Sequence, residues 1–188
     1  MQDELTPLCE LALKHGTVKF AKHHYTATYW ERLRGKRESV LRVFEVGIAK
    51  GRSLRMWEEF FPSAYIFGFD RNPVSIFNAG RIKCFYGDQN DLSSLIDAAK
   101  VASNGNKFDL IIDDGSHHWS LQLSTAIALL PFLAHDGAYV IEDVMMRVRN
   151  GVRVDDPKFI RDRLPRGQYQ TDVIRTGELD DDVLLWVR

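Results

Sequence analysis

From residue 40 onward, short apolar runs alternate with helix-like segments along the chain. The runs are rich in β-branched and aromatic residues, as the strands of a buried sheet are. They lie at 40–46, 64–69, 82–86, 108–112 and 139–141. Segments with helical spacing lie between them, at 53–60, 92–101 and about 119–130. Because strands that alternate with helices form parallel sheets, this order predicts an α/β fold with a doubly wound sheet.

The two ends of the chain differ from this central pattern. Residues 5–12 and 25–33 have helical spacing, so we expect an N-terminal helical segment over 1–38. Residues 168–175 and 183–188 are strand-like and are separated by a turn-rich acidic linker, which predicts an antiparallel hairpin. Five βα units closed by such a hairpin are typical of a Rossmann-like, seven-stranded methyltransferase sheet, mostly parallel, with helices on both faces.

Length and composition narrow the class of protein. The 188 residues suit one domain over 1–188, and the 45% hydrophobic content is enough for a full core. A net charge of −1 gives no indication of nucleic-acid or membrane binding. Cys9 and Cys84 do not make a disulfide framework, and the first residues do not resemble a signal peptide. We therefore expect a cytoplasmic protein.

Two of the predicted strands end at adjacent carboxylates. One run stops at Asp113 and Asp114, and the other stops at Glu142 and Asp143. Because burying unpaired carboxylates is costly, such pairs usually serve a cation. The strand ends lie at the edge where open α/β sheets bind ligands. Asp114, Glu142 and Asp143 offer only oxygen ligands, which suits Mg²⁺, with Mn²⁺ or Ca²⁺ as alternatives, better than zinc.

His117 follows the first carboxylate pair within three residues. A divalent ion that binds a hydroxyl lowers its pKa by several units, as it does for water. Histidine titrates near neutral pH, so His117 would then take the proton as a general base. The alternative interpretation is structural: Asp114 and Asp143 would cap helices, and His117 would pack on Trp119.

A glycine turn follows the first predicted strand. The string from Glu45 through Gly47 to Gly51 has the form E-x-G-x-x-x-G, and glycines there let the backbone approach a ligand closely. It is not the G-x-G-x-x-G pattern of dinucleotide sites. S-adenosylmethionine (SAM) has no phosphate, so this looser turn suffices, and the Glu45 carboxylate suits the cationic end of SAM.

Polar side chains end the next two predicted strands. Asp70 ends the second strand, where an acidic residue can accept both ribose hydroxyls. Asp88 and Gln89 end the third strand, where an adenine edge can be read by hydrogen bonds. Each of these residues alone is also common in turns and helix caps. Their positions at successive strand ends predict a nucleoside cofactor.

Several motifs together resemble one family. The strings FDLIIDDGSH at 108–117 and YVIED at 139–143 are similar to those of the metal-dependent sugar O-methyltransferases of macrolide biosynthesis, the mycinamicin and macrocin type. GTVK at 16–19 with HYTATY at 24–29 resembles the G-T-D-K…H-x-(Y/F)-T-x-x-Y motif of that family. Two segments depart from the pattern: Val18 replaces an acidic residue, and the region after Asp143 is unlike the family's aromatic-rich loop.

The resemblance implies a role for each matched position. The Mg²⁺ ligands would be Asp114, Glu142 and Asp143, and the general base would be His117. The SAM site would be lined by Glu45, Gly47, Asp70, Asp88 and Gln89, with Asp113 near the cofactor. The N-terminal segment would cover this site.

The motifs and the resemblance together predict a class I SAM-dependent, Mg²⁺-dependent O-methyltransferase. Its acceptor would be a hydroxyl of a small molecule, such as a sugar or a glycosylated natural product. We expect neither nucleic acid nor membrane as a partner, and a homo-oligomer is left open. Two alternatives stand beside this prediction: a metal-independent small-molecule methyltransferase, and a non-catalytic protein that keeps the SAM-binding fold.

Overall fold

The computed structural model describes residues 5–150, 152–165 and 167–188, and its centre is a twisted sheet covered by helices. The strands are β1 (Arg42–Val46), β2 (Tyr65–Asp70), β3 (Asn78–Ala79), β4 (Ile82–Tyr86), β5 (Phe108–Asp113), β6 (Leu133–Ile141), β7 (Arg147–Arg149), β8 (Val152–Asp155), β9 (Thr171–Arg175) and β10 (Val183–Val187). The helices are α1 (Pro7–His15), α2 (Val18–Ala21), α3 (Tyr25–Leu33), α4 (Arg52–Phe60), α5 (Leu92–Ser103), α6 (Trp119–Leu129) and α7 (Pro157–Arg161).

Eight strands form the main sheet, in the order β3-β4-β2-β1-β5-β6-β10-β9. The five strands β4, β2, β1, β5 and β6 are parallel neighbours. Strand β10 is antiparallel to both β6 and β9, and β3 is antiparallel to β4. Strands β7 and β8 form a separate antiparallel ribbon. The predicted α/β fold, mostly parallel with a C-terminal antiparallel hairpin, is confirmed.

Two details of the sheet differ from the sequence-based prediction. The main sheet has eight strands instead of seven, because Asn78–Ala79 adds a two-residue strand at one edge. The ribbon of β7 and β8 was also not predicted. Both elements lack the apolar run on which the strand predictions depended.

Alternate strand residues face two separate layers of helices, as the two-residue period of a strand requires. On β1, Val43 belongs to a core formed with α1, α3 and α4, whereas Phe44 belongs to a core formed with α5, α6 and α7. In the first layer, Trp57, Phe60 and Phe61 pack with ring centroids 4.7–6.3 Å apart. Both faces of the sheet are therefore apolar and covered.

Local sequence signals explain where the helices begin and end. The Thr6 side chain accepts the Cys9 backbone N–H at the start of α1, and Gly16 ends that helix with a left-handed φ of 68°. The Asp91 side chain caps α5 in the same way. Among the described residues, no helix has the length and apolar character needed to cross a membrane.

The loops at the carboxyl edge of the sheet continue the pairing of the strands. The Asp114 backbone N–H donates to the Val46 carbonyl at 2.9 Å, and the Glu142 N–H donates to the Asp113 carbonyl at 2.9 Å. These bonds bring the residues after β1, β5 and β6 side by side. The glycine turn and both acidic pairs consequently share one edge.

Candidate active site

A cavity of about 650 Å³ lies at the carboxyl edge of the parallel strands. Its wall includes the glycine turn after β1, the loops after β2, β4 and β5, and residues between α1 and α3. Seven of the sequence-predicted site residues line it: Gly47, Asp70, Asp88, Gln89, Asp114, His117 and Asp143. The other three are buried behind that wall: Glu45, Asp113 and Glu142.

The glycine turn is held against the loop after β5. Gly47 has a left-handed φ of 82°, and a Cβ atom there would overlap the backbone of Asp114 and Gly115. One Asp70 carboxylate oxygen accepts the backbone N–H groups of Ile48 and Ala49, each at 2.9 Å. In this structure the Asp70 carboxylate therefore orders the glycine turn at the cavity wall.

The two residues after β4 have different environments. The Asp88 side chain is half-buried, and its carboxylate accepts the backbone and side-chain N–H groups of Asn90, which lower the pKa of Asp88. The Gln89 amide is buried: it donates to Asp113 at 3.0 Å and to Thr125 at 2.8 Å, and it accepts the Ser116 N–H at 2.7 Å. Gln89 thus ties the ends of β4 and β5 together.

Asp113 supports the cavity wall from behind. Its carboxyl group is fully buried, and burial raises its pKa to about 8, although hydrogen bonds from the Gly115 N–H and the Gln89 amide act in the opposite direction. The group is therefore mostly protonated at neutral pH. Asp113 accepts a hydrogen bond from Gln89, which lines the cavity, so Asp113 holds that side chain in place.

Asp113→Asn is expected to stabilise the metal-free protein increasingly as the pH rises. The folded protein keeps the Asp113 proton up to a pH of about 8, whereas the unfolded chain releases it near the ordinary value of 3.8. The contribution of Asp113 to the free energy of unfolding therefore falls by about 1.4 kcal/mol per pH unit between those values, and asparagine has no proton to lose. Urea unfolding of both proteins from about pH 5 to about pH 8 measures the difference. A difference that does not change with pH would contradict this prediction.

Lys19 was given no role from the sequence. It lies among the carboxyl groups at the carboxyl edge of the sheet, which we call the acidic edge: Glu45, Asp114, Glu142 and Asp143. Its Nζ atom is 2.5 Å from Glu142 Oε2, 2.9 Å from Asp114 Oδ2 and 3.5 Å from Glu45 Oε1. The residue is 1% exposed. Burial lowers the pKa of Lys19, but the charges of Asp114, Glu142 and Glu45 together raise it well above its ordinary value. The ammonium group is therefore charged and neutralises part of the cluster.

Aromatic side chains bind the remaining oxygens of the two buried glutamates. Tyr29 donates its hydroxyl to Glu142 Oε1 at 2.6 Å, and the Trp57 indole N–H donates to Glu45 Oε2 at 3.0 Å. Burial raises the pKa of both carboxyl groups, and the Lys19 charge opposes that rise. Both oxygens of Glu142 are thus hydrogen-bonded within the protein.

Asp143 and His117 lie next to each other at the cavity wall. Asp143 has a left-handed φ of 50°, and its backbone N–H donates to the Tyr25 hydroxyl at 3.2 Å. Its Oδ1 atom accepts that hydroxyl at 2.6 Å. Its Oδ2 atom is 3.6 Å from His117 Nδ1, which is too long for a hydrogen bond but close enough for electrostatic attraction. Tyr25 therefore holds Asp143 in a conformation that non-glycine residues seldom adopt.

A second histidine lies at the same wall. His23 Nδ1 is 3.0 Å from Asp182 Oδ1 and 3.5 Å from Asp143 Oδ1. The other Asp182 oxygen accepts the Leu179 N–H at 2.8 Å within the turn before β10. His23, Asp181 and Asp182 each offer one side-chain atom of a type that binds metals, and these three atoms all lie within 4.8 Å of one another. One oxygen of Asp182 is thus used within its own turn and the other contacts His23. We therefore interpret Asp182 as a residue that positions His23.

The structural alternative from the sequence, in which Asp114 and Asp143 cap helices and His117 packs on Trp119, does not agree with these contacts. The residue at the N-cap of α6 is His118, with no side-chain cap bond, and the ring that stacks on Trp119 is also that of His118. Asp114 instead contacts Lys19, and Asp143 contacts Tyr25. The signal for these partners was present in the GTVK and HYTATY motifs, but spacing along the chain could not turn the motifs into contacts.

The order of the sheet and the ligand cavity at its carboxyl edge define a class I methyltransferase fold. No family model matches the chain. Mycinamicin VI 2''-O-methyltransferase of Micromonospora griseorubida is 37% identical over 145 residues, which are 73% of this chain and 36% of that protein. Demethylmacrocin O-methyltransferase of Streptomyces fradiae is 36% identical over 145 residues, with the same two shares. The chain spans little more than a third of the length of these relatives.

Solved structures agree with this assignment. A crystal form of MycE methyltransferase from the mycinamycin biosynthetic pathway, in complex with Mg and SAH, matches with a TM-score of 0.68 and 37% identity, covering 74% of this chain and 37% of that one. A second crystal form matches with a TM-score of 0.74 and 28% identity, covering 97% of this chain and 53% of that one. The resemblance read from the motifs is confirmed: over the matched region, the chain is homologous to macrolide and tetracenomycin sugar O-methyltransferases.

Proposed function

We propose that this chain carries the activity of a SAM-dependent, Mg²⁺-dependent O-methyltransferase that acts on a sugar hydroxyl of a glycosylated natural product. The observation that carries the proposal is the shared cavity: the glycine turn, Asp114, Asp143 and His117 all line it. The names of the homologous enzymes support this choice of acceptor class. The helical segment before β1 would cover the cofactor, since residues between α1 and α3 also line the cavity.

The cofactor would lie along the glycine turn. SAM supplies a methyl group on a positively charged sulfur. The backbone around Gly47 would face its amino-acid part, Asp70 at the cavity wall would bind the ribose hydroxyls, and Asp88 would lie at the adenine edge. Glu45 lies behind the turn, where its negative charge would favour a cationic ligand without touching it. Asp113 and Gln89 would hold the wall in place through their shared hydrogen bond.

The acidic edge partly fits a divalent ion. Asp114 and Asp143 face the cavity, and within the described residues Asp114 Oδ1 and Asp143 Oδ2 accept no hydrogen bond, so these oxygens could bind Mg²⁺. Glu142 would join them only by exchanging its contact with Lys19 or Tyr29. The ion would supply Lewis acidity toward the acceptor hydroxyl. His117, at the same wall, would take the hydroxyl proton as the oxygen attacks the methyl group in line.

One observation favours a second candidate, a metal-independent methyltransferase. Lys19 already lies at hydrogen-bond distance from Asp114 and Glu142, so part of the negative charge at the acidic edge is compensated without an added cation. In that case the carboxylates would be structural, and His117 would act alone on a more acidic acceptor. Metal removal separates the two candidates.

Excess EDTA is expected to lower turnover at least about 100-fold, and added Mg²⁺ should restore it, because Lewis-acid activation is worth several kcal/mol. The assay would measure methyl transfer from radiolabelled SAM to mycinamicin VI and to demethylmacrocin as probe acceptors. Asp114→Asn should also abolish the response to Mg²⁺, whereas Asp97→Asn on the exposed face of α5 should not. Calorimetry with SAM should give the same affinity with and without EDTA. Full turnover in EDTA would favour the metal-independent candidate.

A further inference from the structure

The ammonium group of Lys19 occupies the place where a cation would bind two of the three predicted metal ligands. We propose that Lys19 is a built-in competitor of the divalent ion: it holds Asp114 and Glu142 in the metal-free protein and lowers the affinity of the site for Mg²⁺. This inference rests on the proposed function, because it concerns the metal site of the same reaction.

The geometry ties one side chain to three strand ends. Lys19 lies on α2, whose first turn is capped by Thr17, and it reaches Glu45 on β1, Asp114 after β5 and Glu142 after β6. The Lys19 side chain is 2% exposed. A buried ammonium without partners would be strongly unfavourable. The contacts of Lys19 with carboxyl groups from three elements are therefore a specific part of the folded structure.

The charges explain why the ammonium and a divalent ion would compete. Both bind carboxylate oxygens, and two cations that share Asp114 and Glu142 at contact distances repel each other. Lys19 supplies one positive charge to three carboxyl groups, and Asp114 Oδ1 accepts no hydrogen bond in the described part of the chain. The site therefore attracts a second cation, but less strongly than the same carboxylates would attract it without Lys19.

The lysine stem makes an exchange of partners feasible. A lysine side chain has four flexible methylene groups, so its ammonium can move along a carboxylate without unfolding the helix that carries it. Glu45 Oε1 lies 3.5 Å from Nζ, farther than Asp114 and Glu142, so Glu45 offers the ammonium a third carboxylate toward which it can move. Movement of Lys19 toward Glu45 would free Glu142 to bind the metal.

Two variants of Lys19 test the inference, with one matched control. Lys19→Met removes the charge and keeps most of the stem, and Lys19→Gln keeps a hydrogen-bond donor without the charge. Tyr29→Phe removes the other hydrogen bond to Glu142 without changing any charge. Mg²⁺ affinity is measured by calorimetry without SAM, and the midpoint of thermal unfolding is measured in EDTA and in excess Mg²⁺.

We expect both Lys19 variants to bind Mg²⁺ at least about tenfold more tightly than the wild type. Tyr29→Phe frees one oxygen of Glu142 but keeps the Lys19 charge, so its gain should be smaller than that of either Lys19 variant. The Lys19 variants should unfold at lower temperature than the wild type in EDTA and recover more of that loss in Mg²⁺. If Lys19→Met folds only with Mg²⁺ present, that dependence on the ion supports the proposal. The Mg²⁺ affinity is then measured with Lys19→Gln.

The outcomes separate this inference from the proposed function. Mg²⁺ affinity in both Lys19 variants that is equal to or weaker than in the wild type would overturn the role of Lys19, even if wild-type turnover depends on Mg²⁺. Tighter Mg²⁺ binding by the variants, together with full wild-type turnover in EDTA, would support the role of Lys19 and overturn the metal dependence of the reaction. Absence of Mg²⁺ binding in every protein would overturn both.

Discussion

Replacing His117 with alanine is expected to lower turnover by about 10²- to 10⁴-fold, the range that a general base contributes, while SAM affinity stays within about threefold. An alcohol is a poor nucleophile at neutral pH, so the step needs a group that takes its proton. The His117 side chain is 41% exposed at the cavity wall and lies beside Asp143. It is therefore accessible to an acceptor and is not part of the buried core that maintains the fold.

The neighbouring residue provides the control for this prediction. His118→Ala removes the same ring one position further on, where the imidazole contacts Ser120 and stacks on Trp119. Its turnover should stay close to that of the wild type. Methyl transfer from radiolabelled SAM and calorimetry with SAM measure the two properties separately. Equal losses in both variants, or a loss of SAM binding in His117→Ala, would contradict the assignment of His117 as the base.

Gly47→Ala is expected to lower the free energy of unfolding by about 3 kcal/mol or more, which is large against the stability of a typical domain. Two effects add. A left-handed residue with a Cβ costs about 1–2 kcal/mol, and the new Cβ would overlap the backbone of Asp114. Backbone cannot rotate away as a side chain can, so the loop after β5 must shift. Because that loop carries Asp114 and His117, the cavity should change with it.

Gly105 separates these two effects. It has a similar left-handed φ of 80°, but a Cβ there would meet no atom within 4 Å. Gly105→Ala should therefore cost only the conformational term of about 1–2 kcal/mol. Urea unfolding of both variants gives the comparison. If the two alanines cost the same, the close approach of the glycine turn to the Asp114 backbone has no energetic effect.

The alternation of strands and helices could be predicted because its signal is local. A strand such as 108–112 is a short apolar run, and helix α4 buries one face with residues such as Trp57 and Phe60. The two-residue strand β3 and the ribbon of β7 and β8 carry no such signal. β3 pairs with the edge of β4, and β7 and β8 pair only with each other.

The carboxylates at the edge could be predicted for the same reason. Asp114, Glu142 and Asp143 follow directly after apolar runs, and parallel strands end at one edge. What the pattern could not provide was the partner of each carboxylate. The contact between Lys19 and Glu142 joins residues 123 positions apart, and the contact between Tyr25 and Asp143 joins residues 118 positions apart.

By itself, the sequence determined the fold class, the kinship with sugar O-methyltransferases and the residues that the strand ends carry. These properties follow from periodicity, turn chemistry and motifs within a few residues of chain. Only the tertiary structure decided that Lys19 lies between Asp114 and Glu142, and that Glu45 and Asp113 are buried behind the cavity wall. The physical reason is that burial and charge pairing depend on all the elements that meet at the edge, including the short helix α2, which brings the ammonium group to it.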